Sequence, residues 1–275
     1  MPRTVPSRIA SALAGVIALV IALSGCALLE QDPASPDVPR IEQDEDLGEL
    51  TVYEVDTAGE LVPSASGLDA EVWDLFRRVV TPAYAAERIL WYQVGDDPDS
   101  DLLAWVVESE EDPELWNLAV NLSAAEDEDL LLLTLIHEYA HLLSMGPGQP
   151  DESGDCLARP ASAPCAEDGS YLAAFHARFW ASYGEEAPAY QEADDAVTAD
   201  FYADHEEDFV SEYAATNVGE DFAEVFTAFV AEPRPSDPGD SLVAAKIAFM
   251  WEWPELVEIR ERLRSEFGDI AWVEF

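Results

Sequence analysis

Basic charge is what this chain has least of. Lys246 is its single lysine, and 13 basic residues stand against 58 acidic ones, a formal net charge of −45 over 275 residues. A role on nucleic acid is excluded, because little that is basic is available to neutralise phosphates. So acidic a surface keeps a protein soluble and off anionic surfaces. The lone lysine beside twelve arginines reads as a coding bias, with no functional weight on Lys246. Cysteine is also scarce, at Cys26, Cys156 and Cys165 only, which leaves no CxxC-type metal site. There are four histidines, no internal repeat, and one long apolar run, at residues 9–23.

That run follows Arg3 and Arg8, and is long enough for a signal-peptide core but too short, with the wrong flanks, for a membrane span. It ends Leu23-Ser24-Gly25-Cys26, which resembles the bacterial lipobox. The resemblance implies cleavage before Cys26, diacylation of its thiol, and a mature protein held by lipid on the extracytoplasmic face of a bacterial membrane. Residues 1–25 are then a signal peptide and residues 26–47, acidic and proline-bearing with no apolar period, a tether. Residues 48–275 suffice for one domain with a proper core. Setting Cys26 aside leaves Cys156 and Cys165, an even pair in an exported protein, to form one disulfide.

Two of the four histidines lie in a single apolar stretch, LLLLTLIHEYAHLLS, at residues 130–144. His137 and His141 are four apart, so on a helix both imidazoles project from one face towards a common metal ion. Glu138 sits about 100° round the same turn, within reach of a metal-activated water without being a ligand. The flanks are apolar almost all the way round, so the helix is buried, where two histidines and a glutamate are costly unless something pairs with them. Ser123 with Glu126 reads as a capping box at its start, and Gly146-Pro147 as its stop.

A catalytic zinc needs a third protein ligand and one position left open. A metzincin would carry glycine and histidine where Ser144 and Pro147 stand, so a later carboxylate is the main remaining choice. In the segment YAATNVGEDFAEVF at residues 213–226, Phe222, Val225 and Phe226 begin an apolar stripe, with Glu220 and Glu224 together on the other face. Taken alone, that face could be solvated, with Glu220 completing a capping box from Asn217.

The pairing of HEYAH with YAATNVGEDFAEVF resembles the gluzincin peptidases, in particular the anthrax lethal factor-like catalytic domains. The resemblance covers only the motif helix and about 15 residues around Glu220. It implies that His137, His141 and Glu220 bind Zn²⁺, that Glu138 is the general base, and that Glu224 orients a ligand histidine. It also implies that Tyr213 donates to the developing oxyanion, although a packed tyrosine is an equal reading. The interval from His141 to Glu220 is longer than in those domains, so substrate preference stays open.

The expected fold is α+β and zincin-like: a small mixed sheet, then the motif helix, then a mainly helical C-terminal half. Strands are expected near residues 51–55, 89–94, 103–107 and 115–122, and a helix over 68–80. Further helices are expected over 171–183, 190–202 and 242–267, the last interrupted near Pro254. His176 reads as a packed histidine, and His205 as more open to supporting a site. The acidic runs at 96–101 and 126–129 lack the spacing of a calcium loop. The function that follows is a membrane-anchored zinc peptidase acting on peptide or protein substrates. The alternative is a surface lipoprotein that keeps the scaffold as a binding module, against which Glu138 counts, since it is not needed to hold a metal.

Overall fold

The computed structural model describes residues 38–151, 156, 159–190, 195–236, 239 and 241–270. The signal segment and Cys26 lie outside the described residues. The fold is mixed α+β, with a six-stranded mixed sheet followed by helices. Strands β1 (Arg40–Asp44), β2 (Gly48–Val55) and β3 (Leu61–Val62) lead to helices α1 (Leu68–Val80) and α2 (Pro82–Arg88). Then come β4 (Ile89–Gly95), β5 (Ala104–Glu108), β6 (Trp116–Asn121) and the long helix α3 (Glu128–Ser144). After it the chain is helical: α4 (Tyr171–Phe175), α5 (Asp195–His205), α6 (Val218–Ala231), α7 (Leu242–Met250) and α8 (Pro254–Phe267). Among the described residues no helix is long and apolar enough to cross a membrane.

The strand order is β1-β2-β4-β6-β5, with β3 beside β2. Only β4 and β6 are parallel; β5 runs antiparallel to β6 and forms an open edge. The period-2 alternation of the strands divides the sheet's two faces. Tyr53, Val55, Tyr92, Val94, Leu118 and Val120 join the main core with the helices. Leu50, Val52 and Ala119 join Leu47 in a small cluster of their own, with Trp91 and Trp105 packed on it.

Strand β1 corrects the tether boundary. Residues 40–44 pair antiparallel with β2, so the chain joins the domain before residue 48. The Asp44 carboxylate accepts from the backbone N–H of Asp46 and Leu47, both at 2.9 Å, and closes the turn. Arg40 lies over the Trp91 ring at 4.3 Å. An outer strand bonded on one side and half exposed needs no apolar period, so its composition still reads as a linker. Gly95 is needed beneath this turn, since a Cβ there would stand 2.6 Å from the Leu47 carbonyl oxygen.

Three other boundaries also move. Ser123 and Glu126 fall in a short 3₁₀ turn, and the cap of α3 is Asp127, whose carboxylate accepts from Asp129 and Leu130 N–H. Asp127 beats Ser123 because the chain stays extended there, at φ −115° and ψ 105°, before the helix starts. The helix expected over 171–183 is α4 followed by a π-helical turn, His176–Trp180. The helix expected over 190–202 is described over Asp195–His205 and runs on to His205, three residues further than expected.

Helix α6 is the centre of the helical half, and every residue in it except Glu220 is buried. Phe222, Phe226 and Phe229 pack with Phe175, Tyr139 and Trp251 on neighbouring helices. Lys246 gains a role that its rarity did not suggest. It is fully buried on α7, with Nζ 2.7 Å from Asp221 Oδ2 and donating to the Asp208 carbonyl at 2.8 Å. Trp180 Nε1 donates to the same Asp221 oxygen at 2.7 Å, so one carboxylate ties α6 to α7 and to the π turn.

A buried pair of this kind is strongly destabilising when only one partner is removed, because the other charge is left uncompensated. Lys246→Met is expected to cost about 3–5 kcal/mol in urea unfolding, with Lys246→Met/Asp221→Leu recovering a large part of that loss.

Candidate metal centre

Helices α3 and α6 pack against each other and bring together residues 79 to 87 positions apart in the chain. His137 Nε2 lies 3.0 Å from Glu220 Oε2, and His141 Nε2 3.1 Å from the same oxygen. The two Nε2 atoms are 3.0 Å apart. Among the described residues these three are the group of histidine and acidic side chains arranged to hold a metal.

The cap of α6 aims Glu220. Asn217 Oδ1 accepts from Gly219 N–H at 2.8 Å and Glu220 N–H at 3.2 Å, starting the helix so that the Glu220 carboxylate turns to the histidines. Its partner Glu224, one turn on and fully buried, reaches His137 Nδ1 at 2.8 Å. An ionised carboxylate can only accept, so Nδ1 carries the hydrogen and the other ring nitrogen is directed into the cluster. Ser211, buried, donates its hydroxyl to Glu224 Oε2 at 2.7 Å and accepts from Ala214 N–H at 3.0 Å. Nothing in the spacing of the sequence singles out Ser211. It sits two residues before Tyr213, and only the return of this turn against α6 gives it a role.

The electrostatics are those of a tightly coupled cluster. Burial pushes His137 down, but the carboxylates of Glu220 and Glu224 at its two ring nitrogens outweigh that and raise it to about 10. Burial would raise Glu220, yet His141 and His137 hold it well below the usual carboxylate range. Glu138 is raised by burial, against the lowering effect of His141 and His137.

Glu138 also faces the sheet edge. Ser109 N–H donates to Leu115 O and Asn121 N–H to Leu103 O, so the odd-numbered residues of this edge bond to β6. The backbone groups of Ala104, Val106 and Glu108 then point outwards. Helix α3 packs against β5, and the Val106 backbone lies close enough to act on the Glu138 carboxyl group, which puts this edge beside the site.

Tyr213 is 47% exposed, with its ring centroid 5.8 Å from that of His137. It is therefore no packed core tyrosine. Partial burial and the charges of Glu220, Glu138 and Glu224 hold its phenol protonated, well above its ordinary range. The other two histidines are elsewhere. His176 is buried in the π turn, 3.3 Å from Ser162 Oγ, and His205 packs on Tyr183 and Phe201 with Nδ1 3.7 Å from Asp208. The expected disulfide is present, joining Cys156 to Cys165 with Cα atoms 5.4 Å apart.

The donor set fits a zinc-like cation. Two imidazole nitrogens and one carboxylate oxygen converge at 3.0–3.1 Å, close to the ~3.3 Å spacing of tetrahedral ligands around an ion at ~2.0–2.1 Å. Such mixed nitrogen and oxygen sites with three protein ligands suit zinc. The glutamate behind His137 is the kind of partner that fixes a ligating ring. No protein-family model, curated protein or solved structure matches the chain. The geometry of the site therefore carries the functional argument.

Metal analysis of the purified, zinc-reconstituted chain is expected to find about one ion per molecule. Glu220→Ala should abolish or greatly weaken retention. Glu224→Gln, which leaves all three ligands in place, is expected to weaken zinc affinity about 10–100-fold in competition with a chelator.

Proposed function

We propose that this chain is a zinc-dependent peptidase of gluzincin type with a zincin-like fold, in which His137, His141 and Glu220 hold the ion. The observation that carries the reading is Glu138, a buried carboxylate next to the ligand cluster that is not one of its ligands. A site that only bound metal would have no use for it. When bound, zinc would supply Lewis acidity, polarising the scissile carbonyl and making water a better nucleophile at neutral pH. Glu138 takes the proton of the attacking water on its carboxylate and passes it to the departing amine nitrogen. Tyr213 keeps its phenolic hydrogen and donates it as a hydrogen bond to the oxygen on which negative charge develops. Glu224, held by Ser211, fixes the His137 ring throughout.

A peptide substrate is supported by the sheet edge. Ala104, Val106 and Glu108 turn backbone groups away from β6 on the outer strand of the sheet, and an extended chain adds to such an edge by main-chain hydrogen bonds. Attachment to the outer face of a bacterial membrane through Cys26 belongs to the same proposal. It rests on the lipobox-like sequence and the run before it.

Glu138→Gln is expected to retain zinc while losing about 10²–10⁴-fold in turnover of a quenched-fluorescent peptide library. A variant as active as the parent would remove the general base, and with it the mechanism. Tyr213→Phe should lower kcat about 10²–10³-fold with little change in KM. An unchanged kcat would leave Tyr213 as an aromatic neighbour of His137 only.

A further inference from the structure

Beside the metal centre lies an open cavity of about 410 Å³, within the range of ligand sites, which run from roughly 300 to 1,000 Å³. Its walls are mainly apolar and include Val106, Trp116, Met145, Ala166, Leu172 and Tyr190. Three of its walls lead directly to the proposed catalytic groups. Val106 belongs to the outer strand β5, which packs against α3, the helix that carries Glu138. Ser144 and Met145 follow His141 at the end of α3. Tyr190 packs on Gly219, the residue before Glu220, so closely that a Cβ there would stand 3.1 Å from the Tyr190 ring.

The outer wall is Pro164-Cys165-Ala166, and it is built differently from the rest. The wall belongs to no helix and no named strand; cross-links of the loop hold it together with the packing of Ala166 in the main core. Cys165 is bonded to Cys156, and Ala166 forms an isolated bridge with Pro150. Arg159 sits inside the loop, donating to the Ala166 carbonyl at 2.7 Å and the Pro164 carbonyl at 3.3 Å while pairing with Asp151 at 2.7 Å. The loop also bonds to a second lining residue, since Tyr190 N–H donates to the Ala161 carbonyl at 2.9 Å. One cross-linked loop thus supplies Ala166 to the cavity and holds Tyr190 through its backbone.

We propose that the Cys156–Cys165 loop is the specificity wall of this site, closing a cavity that accepts one bulky apolar side chain, aromatic or long aliphatic, of a peptide lying along β5. The inference rests on the peptidase reading for the identity of the bound chain, and deepens it by naming the side chain selected. The occupant follows from continuity: Val106 and Val107 of the peptide-pairing edge are themselves walls of the cavity, so a chain on that edge passes its mouth. A side chain directed inwards meets Trp116, Leu172 and Met145, an apolar lining that favours an apolar group over a charged one, which would lose water there. Glu108 at the exposed rim further disfavours acidic residues. Selectivity would then depend in part on the loop staying oxidised, because the Cys156–Cys165 bond is one of the links that hold this wall.

The test uses the full-length chain loaded with zinc and carrying Glu138→Gln, so that peptides bind without being consumed. Blocked hexapeptides in which one phenylalanine is moved along a glycine–serine background are titrated by calorimetry. The unmodified chain is assayed in parallel for cleavage of the same peptides. Phenylalanine at one position is expected to tighten binding roughly 10–200-fold over the all-small peptide. Cys156→Ser/Cys165→Ser should reduce that preference at least several-fold while zinc content stays at the parent's level. Ala166→Trp, which fills the cavity with the disulfide intact, should do the same, and covers the case in which the serine variant does not fold. No phenylalanine preference in the parent, or a preference undiminished in Ala166→Trp, would overturn the proposal. Selective binding lost in the variants, together with no cleavage by the unmodified chain, would keep the specificity wall and retire the peptidase reading.

Discussion

A charged cluster between two buried helices is the constraint on which the rest of the structure depends. Helices α3 and α6 are apolar almost all the way round, and each carries ionisable groups into the contact: His137, Glu138 and His141 on one, Glu220 and Glu224 on the other. Unpaired, such groups would be too costly to bury. They are tolerable because they meet one another at hydrogen-bonding distance, and the same convergence gives His137, His141 and Glu220 an arrangement that could hold a metal ion.

That cluster works only if neither helix turns or slides, and the surrounding polar contacts hold α6 from several directions. Asn217 caps its first turn and Ser211 holds Glu224 from outside. Asp221, next to Glu220, is fixed by Lys246 and Trp180 in a fully buried pair. Consecutive residues on a helix point about 100° apart. Glu220, Asp221 and Glu224 therefore reach different neighbours and together pin the helix about its axis. The sheet contributes through β5, its outer strand, which packs against α3 beside the site.

How much of this was legible depended on whether a signal was local. The helix at 68–80 was readable because Val72, Trp73, Phe76, Val79 and Val80 follow its period and all are buried. The four expected strands appear with ends shifted by a residue or a few, since branched and aromatic residues alternate across them. The edge strand at 40–44 was not readable: main-chain pairing and a side-chain turn make it, and neither leaves a hydrophobic period. Lys246 was passed over for a related reason. Nothing near it in the chain identifies Asp221, 25 positions earlier, as the charge that lets an ammonium be buried.

The sequence by itself determined which residues could form a site. Spacing of four on a helix puts His137 and His141 on one face, and the same spacing pairs Glu220 with Glu224, because 3.6 residues per turn hold in any α-helix. The tertiary structure alone decided that these two faces meet, that Ser211 and Lys246 support them, and that a disulfide loop walls the adjoining cavity. Local periodicity specifies which way a side chain projects from its own element. Which element it encounters is set by how the apolar surfaces of the whole chain pack, and that is a property of the fold.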